Sequence, residues 1–365
     1  MLALFAACSL LLKFAVFVYM TGDLSPLAFA DRICLWDCRW FGKVAQGYEV
    51  GLPTNRNGEA NWAFFPLYPL LVKAVAMLTT LPWTAAGVLV SQVLGILAAG
   101  CARPLFGSQT RAYWLFAFGA LLGPFSLLFS MPYSESLFIL LTILVLVQLQ
   151  RGDYLRAGAW AALLSATRVT GVLIGAAILL QAIIDYRRAG GAWRDLPRSF
   201  LSDNRLLLGL ALVPLGLLGY MVYLRLWMGD GLAFAHVQVA WGRALDNPFI
   251  QFGIALHSGW PFKAHWDPFS TYAVGGLVAV VLTTLVALRG HYAAALFCFI
   301  ALVLSFSAGL FSSVRFAAGL APLGLVSAEL IARRRWLSWS AYPIGLALGL
   351  LVVAGWISGR DFTMV

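Results

Sequence analysis

The chain has 365 residues, of which 61% are hydrophobic and only 11% charged, and its mean hydropathy is +0.85. A soluble domain carries roughly a quarter charged residues, so this chain cannot cover a water-facing surface, and lipid must be the solvent for most of its length. The formal net charge of +10 raises the question of nucleic acid. The arginines, however, sit in short turns between apolar runs, as membrane topology demands, and no nucleic-acid partner is expected.

In chain order, the first apolar run, about 2–20, carries one charge, Lys13. It lacks the basic start and small-residue cleavage site of a signal peptide and reads as a retained span. A polar, aromatic stretch follows to about residue 61. The run 64–77 begins Phe64-Phe65-Pro66-Leu67-Tyr68-Pro69 and carries Lys73. It is short for a span, which predicts an interfacial helix. Spans are expected at about 84–105, 112–122 and 135–149, with Arg103, Arg111, Arg151 and Arg156 marking cytoplasmic turns.

The run 155–184 is read as two short spans meeting at Thr167-Arg168, because an arginine in mid-membrane is costly unless it faces water or a partner. Arg187, Arg188, Arg194, Arg198 and Arg205 give the strongest cytoplasmic signal. Further spans are expected at about 206–228, in a hairpin around Arg289-Gly290-His291, from Arg315 to Arg333-Arg334-Arg335, and at about 340–357. The sum is an all-α polytopic membrane protein of about eleven transmembrane helices in one domain, residues 1–365. Two long outer loops interrupt it, at about 21–83 with interfacial helices and at about 229–270.

Those two loops hold most of the remaining polar residues: Asp31, Arg32, Asp37, Arg39, Lys43, Glu49 and Glu59 in the first, and His236, Gln238, Arg243, Asp246, His257, Lys263, His265 and Asp267 in the second. A chain so poor in polar side chains that places them on one face is building a site there. In Trp36-Asp37-Cys38-Arg39-Trp40-Phe41, aromatics partly desolvate a carboxylate and suit it to general-base work. An aromatic belt with an incidental Asp is the alternative. In Met131-Pro132-Tyr133-Ser134-Glu135-Ser136, Glu135 either answers a helix N-terminus or is a second acid facing Asp37.

Arg168 is a functional residue by default inside a membrane, with Glu135 or a phosphate as its partner. Gln238, Trp241 and Arg243 suit a sugar face and a phosphate. Arg315, opening a helix beside Ser312 and Ser313, opposes the helix dipole, which is easier to understand if it binds an anion. Cys34 and Cys38 either pair in an oxidising compartment or share one helix face, and no His/Cys group has zinc-site spacing.

Arginines, a carboxylate and aromatics on one face suggest a membrane-soluble substrate bearing a phosphate and a ring, which a polyprenyl-phosphate sugar fits. Trp36-Asp37 in a long first loop, Phe-Phe-Pro-Leu-Tyr-Pro from Phe64, Pro-Tyr-Ser-Glu-Ser-Leu-Phe from Pro132, Ala166-Thr167-Arg168 and the late Arg315-Phe316 resemble, in order, the GPI mannosyltransferase II (PIG-V) family and its bacterial relatives. The resemblance implies a GT-C glycosyltransferase fold in a multi-pass protein of the bacterial inner membrane. Such a protein takes mannose from a lipid-phosphate carrier on the periplasmic face, with inversion.

It also implies that Asp37 is the catalytic base and that Glu135, Arg168 and Arg315 line the donor pocket. Trp36, Arg39, Tyr133, Gln238, Trp241 and Arg243 are the further candidates for substrate contacts. Phe316 stands where the family often has a tyrosine, so a hydroxyl contact is missing there. The implied partners are the polyprenyl-phosphate-linked donor, a lipid or glycan acceptor, and membrane lipids. No cofactor is expected, since arginines can neutralise the phosphate, although a divalent metal bridging Asp37 and Glu135 stays open. Two other classes remain: a transporter or flippase, which predicts inverted repeats and polar groups at the midplane, and a non-catalytic subunit of a glycosylation complex.

Overall fold

The computed structural model describes residues 1–51, 58–243, 245–259 and 268–359, and all regular structure among them is helical. The apolar α1 (Leu2–Thr21) stops at Gly22, whose φ of 72° is the left-handed conformation that glycine adopts without cost. Ser25 caps α2 (Pro26–Ile33), its side chain accepting from the Ala28 N–H, with proline in the first turn. Two more helices, α3 (Asp37–Gln46) and α4 (Leu67–Thr79), complete the segment 21–83.

The trunk continues with α5 (Trp83–Cys101), α6 (Thr110–Leu122), α7 (Glu135–Gln150), α8 (Tyr154–Ser165) and α9 (Ile174–Arg188). The short α10 (Leu196–Ser202) precedes α11 (Asn204–Leu212) and α12 (Leu215–Met228), which Val213 and Pro214 separate. The segment after α12 carries α13 (Ala233–His236) and α14 (Pro248–Gly259). The chain then closes with α15 (Pro268–Leu288), α16 (Tyr292–Ser307), α17 (Ser313–Ala318), α18 (Ala321–Ala332) and α19 (Arg335–Ser358).

Among the described residues, 6 helical stretches are long and apolar enough to cross a bilayer: Leu2–Thr21, Trp83–Phe106, Val169–Arg188, Asn204–Met228, Thr271–Leu288 and Arg335–Ser358. The chain is therefore a multi-pass membrane protein. Leu67–Thr79, Glu135–Gln150, Tyr292–Ser307 and Ala321–Ala332 are apolar but shorter. The continuous span expected from Arg315 to Arg333 is instead two helices, α17 and α18, parted at Gly319-Leu320. The short elements follow from burial. In α7 nearly every side chain is buried, so it faces protein rather than lipid and need not match bilayer thickness. The short 3-10 turn Ser126–Phe129 and the irregular backbone from there to Tyr133 are buried as well, which is where a membrane protein tolerates a break in α-helix.

The Arg-rich turns gather at one end of the bundle. There Tyr154 donates to Asp185 Oδ2 at 2.8 Å, joining the start of α8 to the end of α9. Arg289, between α15 and α16, meets Glu329 of α18 at 3.3 Å, and Arg111 donates to the Ala332 carbonyl at 3.2 Å. A cavity of about 710 Å³ lies among these groups. Helices α8 and α9 thus leave and return to the same end. Their junction is the break expected at Thr167-Arg168, where Arg168 has an extended backbone. Glycine makes room for the α8–α11 crossing: a Cβ on Gly158 would sit 2.0 Å from the Gly209 carbonyl oxygen. At the other end, Trp356 of α19 donates to the Ile33 carbonyl at 3.0 Å and Thr84 of α5 to Asp31 at 2.6 Å. The segment 21–83 caps this end.

Candidate functional site

Asp37 is the first residue of α3. The Tyr133 hydroxyl donates to the Leu35 carbonyl at 2.8 Å, and the Trp356 indole to Ile33. Cys34 and Cys38 are joined as a disulfide, their Cα atoms 5.2 Å apart. Between them Trp36 has φ 50° and ψ −118°, a conformation that a large side chain adopts only where its surroundings over-determine it.

From this mount the Asp37 carboxylate reaches Arg315 Nη2 at 2.7 Å. Arg315 Nε stands 3.5 Å from Glu135 Oε1, and that same oxygen accepts from Arg168 Nη1 at 2.7 Å. The result is an unbroken line, Asp37–Arg315–Glu135–Arg168. The Arg315 and Glu135 side chains are each 2% exposed, whereas Asp37 keeps 33%. The line is incompletely satisfied. The Arg315–Glu135 contact is an ion pair without hydrogen-bond geometry, and both Arg315 Nε and Glu135 Oε2 are buried with no hydrogen-bond partner among the described residues. The buried Ser312 hydroxyl, three residues before Arg315, also has none.

The sequence gives no direct hint that Phe316 is the hub of the cations. Its ring lies 4.8 Å from the Arg168 guanidinium, 5.3 Å from that of Arg315 and 5.6 Å from that of Arg243, distances at which a ring face attracts a cation. The only signal was the Arg-Phe adjacency, read above as a missing tyrosine hydroxyl. Tyr133 presents its ring to Arg315 at 5.1 Å. Burial, reinforced by the charge of Asp37, holds the Tyr133 phenol well above its ordinary value, so it stays a neutral donor.

Arg243 is half-buried and makes no ion pair among the described residues. Burial pulls its guanidinium below the usual arginine range; the charge of Asp37 opposes this, while Arg315 and Arg168 pull the same way. Three arginines against two carboxylates leave one positive charge in excess at a largely buried place.

Aromatic side chains of residues 21–83 and 229–270 adjoin the cluster through Phe41, whose ring centre stands 5.3 Å from that of Phe64 and 6.3 Å from that of Tyr133. Trp40 stacks on Phe64 with ring centres 5.8 Å apart, and Trp241 stands edge-on to both at 5.6 and 6.0 Å. The Gln238 carbonyl accepts from the Arg243 N–H at 3.2 Å, while its side chain turns back to the Phe234 carbonyl at 3.3 Å. Gln238 therefore shapes the Arg243 turn through its backbone.

Asp37, Tyr133, Glu135, Arg168, Arg243 and Arg315 thus come together, while Trp241 packs against Trp40 and Phe64. Trp36 and Arg39 do not join them. Trp36 is 59% exposed, and Arg39 is exposed because it follows Asp37 by two residues, about 200° around the helix. His236 pairs with Asp230 at 2.7 Å on the exposed surface. Lys263, His265 and Asp267 lie outside the described residues, as does the His257 side chain.

Among the described residues, no three His, Cys, Asp or Glu side chains form a metal-sized group. A second cavity, of about 630 Å³ and almost wholly apolar, runs between α6, α15, α18 and α19, and Val314 and Ala317 on either side of Arg315 help to line it. Compared with known proteins, the chain matches no family model, no curated protein and no solved structure.

Proposed function

We propose that the chain is a membrane glycosyltransferase of the GT-C kind. In this reading it moves a hexose, mannose by the family resemblance, from a polyprenyl-phosphate donor to an acceptor hydroxyl on the extracytoplasmic face, with inversion. The observation that carries the reading is the cationic excess around Phe316, where Arg168, Arg243 and Arg315 converge beside only two carboxylates. Guanidinium groups are suited to phosphate oxygens, and one phosphodiester charge balances the surplus. The aromatic wall of Trp40, Phe64 and Trp241 offers faces for a sugar ring. The apolar cavity beside Arg315 suits a lipid tail. The disulfide in the capping loop supports an oxidising compartment for this end, and the basic turns at the other end support a cytoplasmic placement there.

The ion-pair line also supplies an order of events. The Asp37 carboxylate, engaged by the Arg315 guanidinium at 2.7 Å, is not free to take the proton of an acceptor. When the donor phosphate takes up Arg315, Asp37 is released. It accepts the proton of the acceptor hydroxyl, whose oxygen attacks the anomeric carbon. The carbon–oxygen bond to phosphate breaks, and the lipid phosphate leaves with the electron pair, its charge met by the arginines.

The test is to incubate purified protein with radiolabelled polyprenyl-phosphate mannose and a membrane extract, and to identify the labelled product. Transfer by the wild type that disappears in Asp37→Asn is expected. Wild-type protein that binds no donor and labels nothing would sink the reading.

A further inference from the structure

We infer that the Cys34–Cys38 disulfide is the positioning clamp of Asp37, so that the site is set by oxidation and released by a dithiol reductant. The inference rests on the reading of Asp37 as the base. The bridge closes a ring of five residues that contains Leu35, Trp36 and Asp37. So short a loop constrains the unfolded chain less than a long one would, and the reason for the bridge is therefore sought in local geometry. The ring fixes Trp36 at φ 50° and ψ −118°, and α3 starts directly after it with Asp37. A tryptophan does not hold that conformation unaided.

The strained turn has three external restraints. The Trp356 indole holds the Ile33 carbonyl and the Tyr133 hydroxyl holds the Leu35 carbonyl, both on the entering side. Arg315 holds the Asp37 carboxylate. The Cys38 N–H donates to the Leu35 carbonyl at 3.1 Å across the strained residue, and the bridge is the covalent tie between the entering segment and the first turn of α3. Opening it lets Trp36 relax to negative φ, which swings the start of α3 and carries Asp37 away from Arg315. The exchange is balanced: a dithiol gives two electrons and two protons to the disulfide, yielding the Cys34 and Cys38 thiols and a disulfide in the reductant. An extracytoplasmic disulfide reverses it.

The expected result is that reducing the intact protein, with both thiols confirmed by mass, lowers kcat at least tenfold while the donor KM changes less than twofold. Reoxidation restores kcat. Cys34→Ala/Cys38→Ala shows the same low kcat and ignores the reductant. Unchanged kcat in the fully reduced protein overturns the clamp, as does a reductant effect that persists in the double variant.

A second measurement does not depend on transfer at all. In oxidised protein, Asp37→Asn strips the buried Arg315 of a partner and lowers Tm by several degrees. In reduced protein the pair is already parted, and the same substitution shifts Tm by less than one degree. Equal shifts overturn the clamp even if the glycosyltransferase reading stands. Oxidised wild type without transfer activity, but with this coupling, would instead reject that reading and leave the clamp in place.

Discussion

Two buried cations in this protein are handled in opposite ways. Lys13, in the middle of α1, gives its ammonium group to Ser9 Oγ, the Ser126 carbonyl and Ser130 Oγ, each at 2.8 Å. An ammonium has three donors, and all three are used. Ser130 in turn donates to Gln92 at 3.1 Å, and Gln92 to the Ala6 carbonyl at 3.4 Å. The network is closed. Arg315 is as deeply buried, yet its line ends in unmet atoms at Arg315 Nε and Glu135 Oε2, with two further arginines gathered on the Phe316 ring. A closed polar network pins helices together. An open one, with surplus charge, fits the proposed binding of an anionic donor.

Substitutions can sharpen or break this contrast. The largest effect is expected from Asp37→Asn: kcat falls about a thousandfold, in the range for loss of a general base. Donor affinity holds or rises slightly in that variant, because Asp37 no longer competes for Arg315. A parallel loss of donor affinity would place Asp37 in binding rather than in proton transfer. Next comes Arg168→Gln, which should weaken donor binding about a hundredfold, the upper range for a hydrogen bond to a charged group, and should also lower Tm by stranding Glu135.

Arg243→Gln is expected to raise the donor KM about tenfold. Its Tm should scarcely move, since Arg243 has no carboxylate partner among the described residues. A large stability loss there would make Arg243 a structural residue like Lys13. The smallest effect on donor affinity is expected from Lys13→Met. It should cost about 1–3 kcal/mol of stability by stranding buried acceptors and leave donor KM unchanged. A change in KM would show that the closed network also serves the site.

The sequence carried the membrane character of the chain and the gathering of polar residues at one end, because composition and arginine spacing report directly on lipid as the solvent. It also carried the helix break at Thr167-Arg168, since a mid-membrane arginine needs a partner, and Glu135 is there at 2.7 Å. The continuous span at Arg315 was misjudged because hydropathy does not distinguish one helix facing lipid from two short ones, of which α17 is largely buried and α18 half buried. Arg39 was grouped with Asp37 by proximity in sequence, but the turn of α3 separates them. Phe316 went unrecognised as a hub because Arg168 and Arg243 come from two separate segments that only the fold brings to Arg315 and Phe316. For Cys34 and Cys38, spacing left two readings, and the turn at Trp36 decides for the bridge.

The most direct test of the contrast is the binding of a polyprenyl phosphate to wild type, Lys13→Met and Arg168→Gln in lipid nanodiscs. An open site at Arg315 requires binding by the first two to agree within about twofold and the third to be weaker by about a hundredfold. Equal affinity in all three proteins, or a loss in Lys13→Met as large as that in Arg168→Gln, would contradict it.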